Sequence, residues 1–178
     1  RGGDLRFAGT SGATVVNLGA ISASGGDVVL MGASVLNAGT IRAPRGTAAL
    51  ASGQSVLLAE EGEERVFVSG VNGTAKGEGV VNSGTIEANI AELKAHRGNV
   101  YGLAVNNTGR IAATGVTRQG GQIFLSAKGG RVRSTGSLQA RSNGGSGGRI
   151  TVDSGNSGRT EIGGTVDASS MDGAGGEI

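Results

Sequence analysis

Aromatic side chains, proline and cysteine are scarce or absent in this sequence, and each absence excludes a class of structure. The 178 residues include three Phe, one Tyr and one Pro, and there is no Cys or Trp. Without cysteine, neither a disulfide-stapled scaffold nor a zinc site with thiolate ligands can form. The single proline excludes a collagen triple helix. No run of about 18 apolar residues occurs, so we predict no transmembrane segment.

Glycine, in contrast, is strongly enriched. The chain contains 37 Gly, whereas a usual share is roughly 7% of residues, and its net charge is only +2. A Gly-rich and mildly hydrophilic composition is typical of disordered chains. Glycines that recur at a regular interval indicate a repeat fold instead, so their spacing decides between these two classes.

The phrase Asn-x-Gly-x-Ile-x-Ala recurs along the chain. Four full copies begin at Asn17, Asn37, Asn82 and Asn107, and two looser copies begin at Ser134 and Ile162. Four positions before the Gly of each copy lies a small apolar residue or Thr, namely Val15, Val35, Val80, Val105, Val132 and Thr160. When Val56 is counted as the member between Val35 and Val80, the intervals run from 20 to 28 residues. This regularity argues against disorder.

A second phrase, Gly-x-apolar-x-apolar, alternates with the first. Its copies begin at Gly3, Gly26, Gly46, Gly121 and Gly148, and a partial copy begins at Gly176. The sequence therefore begins and ends at the same phase of the repeat, about seven repeats apart. We expect residues 1–178 to be a single segment of a longer chain.

The two phrases predict an all-β fold. Apolar residues at every second position indicate strands, and a unit of 20–28 residues is typical of solenoids. We predict a right-handed parallel β-helix, or β-solenoid, of about seven coils with three short strands per coil and Gly at the corners. Residues 59–79 interrupt the pattern, and we interpret them as a degenerate coil, with a protruding hairpin as the alternative. The Asn column predicts a structural ladder, because stacked Asn side chains can hydrogen-bond from coil to coil; its members are Asn17, Asn37, Asn82 and Asn107.

These phrases, together with the Gly-x-Ile-x-Leu strands and the segment 98–109, resemble the filamentous haemagglutinin family. Its members are large exoproteins that Gram-negative bacteria export by two-partner secretion. The resemblance covers nearly the whole chain and is weakest at 59–79. It implies a β-helical shaft that is secreted and lies outside the cell or on its outer surface, in an adhesin or a related filament. The amino-terminal secretion signature of that family, with its Asn-Pro motif, is not seen in this sequence.

The leading functional hypothesis is a structural, non-enzymatic shaft of such a filament or adhesin. Its expected partners are neighbouring β-helical coils, or subunits stacked end to end. The second hypothesis is an anionic glycan-binding module, because basic residues outnumber acidic ones between positions 110 and 159. Its candidate ligand strip contains Arg131, Arg133, Arg149 and Arg159, and the spacing predicts an exposed ion pair between Arg133 and Glu161. Since aromatic stacking partners are missing, we expect no specific nucleic-acid binding.

A polysaccharide lyase or hydrolase is the third hypothesis, since some β-helices carry such activity. It needs clustered carboxylates, and the candidates are Asp153, Asp167 and Asp172. His96 is the only histidine and has no cysteine beside it, so no metal site and no catalytic relay is predicted. The sequence predicts no cofactor.

Overall fold

The computed structural model describes residues 3–60, 62–70, 78–96, 103–115, 120–142 and 144–178. Within these ranges the protein is all-β, without a helix, and its strands form sheets of three, six and nine strands. No helix long and apolar enough to cross a membrane is found in the described ranges.

Each sheet collects a different part of the repeat. The six-stranded sheet holds β2 (Thr14–Asn17), β5 (Ser34–Asn37), β9 (Val80–Asn82), β11 (Leu103–Asn107), β14 (Arg131–Ser134) and β17 (Arg159–Ile162). The nine-stranded sheet holds β3 (Ala20–Ser22), β4 (Val28–Gly32), β6 (Thr40–Ser52), β10 (Thr85–Ala95), β12 (Arg110–Ala113), β13 (Gln122–Ala127), β15 (Ser137–Gln139), β16 (Arg149–Asp153) and β18 (Thr165–Asp167). The three-stranded sheet holds β1 (Leu5–Ala8), β7 (Ser55–Leu58) and β8 (Val66–Ser69).

All pairing within the two larger sheets is parallel and follows the repeat. In the six-stranded sheet the partners are successive members of one column, Val15, Val35, Val80, Val105, Val132 and Thr160. We use the word level for one strand of this sheet plus the strands that follow it in the nine-stranded sheet. The described residues form six levels; the first is β2, β3 and β4, and the second is β5 and β6.

The predicted β-helix of about seven coils with three short strands per coil is wrong. In the second level, β6 is one continuous strand of 13 residues, and in the third level β10 is one continuous strand of 11. These levels therefore have two strands each. The connector, Pro44 and Arg45 in the second level and Asn89 in the third, is part of the strand, and the pairing of β6 with β10 shifts register between Ala88 and Ile90. A third sheet, which the prediction lacked, is antiparallel.

Val56 does not belong to the column in which we counted it. Val35 pairs directly with Val80, whereas Val56 lies on β7 between Phe7 on β1 and Val68 on β8. Residues 55–58 and 66–69 thus form an antiparallel hairpin between the second and third levels. The two interpretations of 59–79 stay open, because residues 61 and 71–77 lie outside the described residues.

The first copy of the second phrase also has a different role from the one expected. Its strand, β1, pairs antiparallel with β7 and does not extend the column of β4. The phrase specifies a strand with two apolar residues on one face, and it does not determine which strand pairs with it.

Most column glycines serve close stacking and not a corner with positive φ. Among the described residues, positive φ occurs at Gly3, Gly62, Gly70, Gly129, Gly145 and Gly155. A Cβ atom on Gly39 would overlap the carbonyl oxygen of Gly19, and one on Gly84 would overlap that of Gly39. The same clash with the preceding level occurs at Gly109, Gly136 and Gly164. Glycine is required there because successive backbones touch.

Small aliphatic side chains fill two apolar clusters. The main cluster joins both larger sheets and includes Val35, Ile41, Leu50 and Leu93, all essentially inaccessible to solvent. The smaller cluster lies between the three-stranded sheet and the nine-stranded sheet, where Val56, Val66 and Val68 pack with outward-facing residues of β4 and β6. The three-stranded sheet therefore covers part of the outer face of the nine-stranded sheet.

Candidate functional site

A continuous chain of side-chain hydrogen bonds runs through five levels. The Nδ2 atoms of Asn17, Asn37 and Asn82 each donate to the Oδ1 atom of the next Asn, at 2.7, 2.8 and 2.8 Å. Asn107 then donates to the hydroxyl of Ser134 at 3.1 Å. All five side chains are buried, and every bond has the same direction along the stack. We call these five residues the Asn ladder; it satisfies polar groups that would otherwise be buried without partners.

The Asn ladder ends at Ser134. The sixth level has Ile162 at the equivalent position, since Ser134 pairs with Ile162 in the six-stranded sheet. Ile162 is exposed and has no side-chain group that could accept or donate a hydrogen bond. The two ends of the stack are therefore chemically different.

Three arginines of the candidate ligand strip converge on one carboxylate. Arg131 and Arg133 lie on β14, and Arg159 and Glu161 lie on the adjacent β17. The Glu161 oxygens lie 2.5 Å from Arg131, 3.0 Å from Arg159 and 4.0 Å from Arg133. We call these four residues the arginine cluster. Because three positive charges meet one negative charge, the arginine cluster has an excess charge of +2.

The charge excess also acts on Glu161 itself. The hydrogen bond from Arg131 holds the pKa of Glu161 below its usual value, and the charges of Arg131, Arg159 and Arg133 act in the same direction. Desolvation opposes this effect. The Nε atom of Arg131 is buried and has no hydrogen-bond partner, so the arginine cluster keeps an unused donor.

Arg149, the remaining member of the predicted strip, does not join the arginine cluster. It lies on β16 in the nine-stranded sheet, where it contacts Glu177 at 2.8 Å and Glu63 at 3.0 Å. These three residues line a polar cleft of about 300 Å³ together with Gln122 and several glycines. The strip predicted from the order of the residues is therefore two separate features on two sheets.

The carboxylates proposed for hydrolysis end two strands that do not pair. Asp153 ends β16 and Asp167 ends β18, at opposite ends of the strand order of the nine-stranded sheet. Asp153 accepts a hydrogen bond from the backbone amide of Gly155, and Asp167 accepts one from that of Ser169. Hydrogen bonds from Ser169, followed by Arg141, lower the pKa of Asp167 from 3.8 to about 2. Asp172 lies in an exposed bend.

Sequence reasoning missed a pair of buried charges on β10. Glu92 is 0% exposed and Lys94 is 5% exposed, because β8 and the residues before it cover this face. The Glu92 oxygens accept hydrogen bonds from the backbone amides of Arg65 and Val66, at 2.8 and 3.0 Å. Lys94 contacts Glu92 at 2.9 Å and also forms an ion pair with Glu64.

Two aromatic rings complete the environment of this lysine. The Lys94 ammonium lies 5.1 Å from the ring centroid of Phe67 and 5.7 Å from that of Phe124, which is within the range of cation–π attraction. We call Glu92, Lys94 and Glu64 the charge clasp, since they join β10 to the segment that leads into β8. Glu92 and Lys94 alternate with Ala91, Leu93 and Ala95, which is also the pattern of a solvent-facing strand surface. The alternation therefore gave no signal that they are covered.

In the part of the chain that the structure describes, no three His, Cys, Asp or Glu side chains come together in a way that could hold a metal ion. The Nδ1 atom of His96 lies 3.3 Å from the carbonyl oxygen of Val68, at the junction of β10 with the hairpin. In comparisons with known proteins, the chain matches no family model and no curated protein sequence.

Proposed function

We propose that this chain is a non-enzymatic structural segment, a shaft in a secreted cell-surface filament or adhesin. The observation that carries the proposal is the Asn ladder, which links five levels in one register without a break. A shaft holds binding regions at a distance from the cell, so it needs repeated contacts along one direction and no reactive site.

Three kinds of contact support such a role. Parallel strands join each level to the next by backbone hydrogen bonds in both larger sheets. The main apolar cluster is shared by both sheets, and column glycines let successive backbones touch. A force along the stacking direction is therefore shared among the backbone, the core and the Asn ladder.

The location outside the cell rests on the resemblance of the repeat phrases to filamentous haemagglutinins of Gram-negative bacteria. The absence of cysteine makes the proposed role simple to measure, because labels can be attached to two introduced cysteines alone. Leu18 and Gly163 suit this purpose, since they follow Asn17 and Ile162 in the first and sixth levels. Leu18 is exposed, and a Cβ on Gly163 would make only an ordinary contact with Thr135.

The test is the distance between spin labels at Leu18→Cys and Gly163→Cys. Five spacings of about 4.8 Å predict a mean separation near 24 Å, before the length of the label arms is added. For a shaft we expect one narrow distance distribution that persists when ionic strength is changed. A broad distribution would contradict the structural role.

A second candidate function, binding of an anionic glycan, is favoured by the arginine cluster. Its excess charge of +2 suits a sulfate or carboxylate group, and the side chains of Arg133 and Arg159 are exposed. The test is retention on an immobilised sulfated polysaccharide at physiological salt. The triple replacement of Arg131, Arg133 and Arg159 by Gln should abolish retention, whereas Arg149→Gln is the matched control and should leave it unchanged. Equal loss in both variants, or no retention of the unmodified chain, would remove this candidate.

A further inference from the structure

Unpaired strand edges lie side by side on the first level. In the described structure, β2 pairs only with β5, and β3 and β4 pair only with β6, so each leaves its other edge open. Core residues at this edge are incompletely covered. Val15, Ile21 and Leu30 are half-buried, although their partners Val35, Ile41 and Leu50 in the second level are at most 1% exposed. We call residues 14–32 the first-level edge.

Two glycines at this edge have no steric reason to be glycine within the structure. In the second level, a Cβ on Gly39 or Gly46 would overlap the carbonyl oxygen of Gly19 or Gly26 in the level before it. Gly19 and Gly26 hold the same positions in the first level, yet a Cβ on either would meet no atom within 4 Å. Both positions therefore lack a Cβ atom where only a further level, stacked on the first, would require its absence.

The hydrogen bonds of Asn17 and Gly19 provide a second, independent observation. In later levels the amide of the column glycine donates to the carbonyl oxygen of the Asn in the preceding level, as Gly39 does to Asn17 at 3.1 Å. Gly19 has no such partner, and its amide donates to the Oδ1 atom of Asn17 at 3.2 Å. That same Oδ1 is the acceptor which, in Asn37 and Asn82, receives the Nδ2 group of the preceding Asn. Asn17 is buried, and its acceptor is placed to receive another Asn.

Apolar side chains of β1 lie beside the open edge of β4 and are not covered by another strand. Leu5 and Phe7 on β1 face the same way as Val56 and Leu58 on β7, but they are 55% and 45% exposed. Phe7, Val15, Met31 and Val56 line a groove of about 240 Å³ beside β4. A strand paired with the open edge of β4 would enter this groove, and its outward side chains would cover Phe7.

We infer that the first-level edge binds a partner segment of the same repeat type, in parallel register, as one further level. The partner carries an apolar-x-Asn-x-Gly-x-Ile stretch against β2 and β3. It then carries a Gly-x-apolar strand with small apolar residues on its outer face, which lie against β4 and below Phe7. Its Asn donates to Asn17 Oδ1, and its Asn carbonyl accepts the amide of Gly19. This inference rests on the proposed structural role and specifies which contact continues the shaft.

The opposite end of a second copy does not have this chemistry. It would place Ile162 against Asn17, so the Oδ1 acceptor would gain no donor. We therefore assign the edge to a segment with the pattern of residues 34–52, which pair with the other side of the first level.

The test uses a fluorescent peptide with the sequence of residues 34–52 and the whole chain. We expect saturable binding, together with slower amide hydrogen exchange in residues 14–32 but not in 149–167. Gly19→Ala and Gly26→Ala should leave the free energy of unfolding unchanged and abolish binding, because the new methyl group meets the peptide backbone. Gly175→Ala is the matched control, since its Cβ also meets no atom within 4 Å and it lies at the other end.

A peptide in which the residue equivalent to Asn37 is replaced by Leu should bind about two- to tenfold more weakly, the effect of one lost hydrogen bond at about 1.4 kcal/mol per tenfold. No saturable binding up to the solubility limit of the peptide would overturn the inference, as would binding that survives both Gly replacements or protection confined to 149–167. Self-association of the chain that Gly19→Ala abolishes would also overturn it, since a second copy would then occupy the edge. The spin-label distance between residues 18 and 163 does not depend on this edge, so the two proposals can fail separately.

Discussion

The Asn ladder and the charge clasp bury polar groups in two different ways. In the Asn ladder, each neutral amide finds its partner in the next copy of the same repeat, at 2.7–2.8 Å between Asn residues. In the charge clasp, Glu92 and Lys94 are buried because an inserted hairpin covers them, and their partners are unique to that place. In the Asn ladder, the buried hydrogen-bonding groups of one repeat are therefore satisfied by the next repeat. In the charge clasp, the buried charges need partners from the hairpin that covers them.

The cost of a lost partner differs accordingly. An uncompensated buried charge costs more than an unsatisfied neutral amide, because the desolvation of a charge is larger. The charge clasp should therefore tolerate single replacements least, although the Asn ladder extends through more of the molecule.

Glu92→Leu should have the largest effect. It leaves Lys94 buried with only Glu64 as a carboxylate partner, and it leaves the amides of Arg65 and Val66 without acceptors. We expect the free energy of unfolding in a denaturant titration to fall by about 3–5 kcal/mol. Glu87→Leu is the matched control on the same strand, since Glu87 forms exposed ion pairs with Arg42 and Arg110, and it should cost about 0–1 kcal/mol. Equal losses in the two variants would show that the burial of Glu92 contributes nothing.

Asn82→Leu should have the second largest effect. It removes the middle of the Asn ladder, so Asn37 loses an acceptor and Asn107 loses a donor, both inside the protein. With about 1–2 kcal/mol for each unsatisfied neutral group, we expect a loss of about 2–4 kcal/mol in the same titration. Asn17→Leu interrupts only one inter-level bond and should cost roughly half as much. A cost for Asn17→Leu that matches that of Asn82→Leu would contradict the ladder as a chain of paired contacts.

A pH titration should give the smallest effect. It separates the Asn ladder, which has no titratable group, from the half-buried carboxylate of Asp167. The pKa of Asp167 is lowered from 3.8 to about 2 in the folded protein, so the folded state favours its charged form. Its contribution to stability is present above pH 3.8 and should be lost as the pH falls from there towards 2. Unfolding free energies measured across this range should show a smaller acid loss in Asp167→Asn than in the unmodified chain. Identical acid profiles would mean that this carboxylate does not stabilise the fold.

The sequence predicted the features that repeat and missed those that occur once. Spacing alone identified Asn17, Asn37, Asn82 and Asn107 as one column, because every level obeys the same steric and hydrogen-bonding rules. It misplaced Val56 because the same alternation of apolar residues occurs in a strand that continues the six-stranded sheet and in a strand that packs on the outside of the nine-stranded sheet.

The same limit applies to the charged residues. Nothing in the alternation around Glu92 separates an exposed outer face from a covered one, since the covering hairpin is a tertiary contact. Arg149 was grouped with Arg131 because both lie in one basic stretch of sequence. The fold sends the two residues to different sheets, and order along the chain carries no information about that division.

The most direct test of the structural role is a deletion that keeps the register. Removal of residues 108–134 joins Asn107 to Thr135 and preserves the Asn-x-Gly phrase while it removes one level. We predict that the shortened chain unfolds cooperatively and that the spin-label distance between residues 18 and 163 falls by one strand spacing, about 4.8 Å. An unchanged distance, or a broad distribution in the shortened chain, would contradict the account of a shaft built from stacked and interchangeable levels.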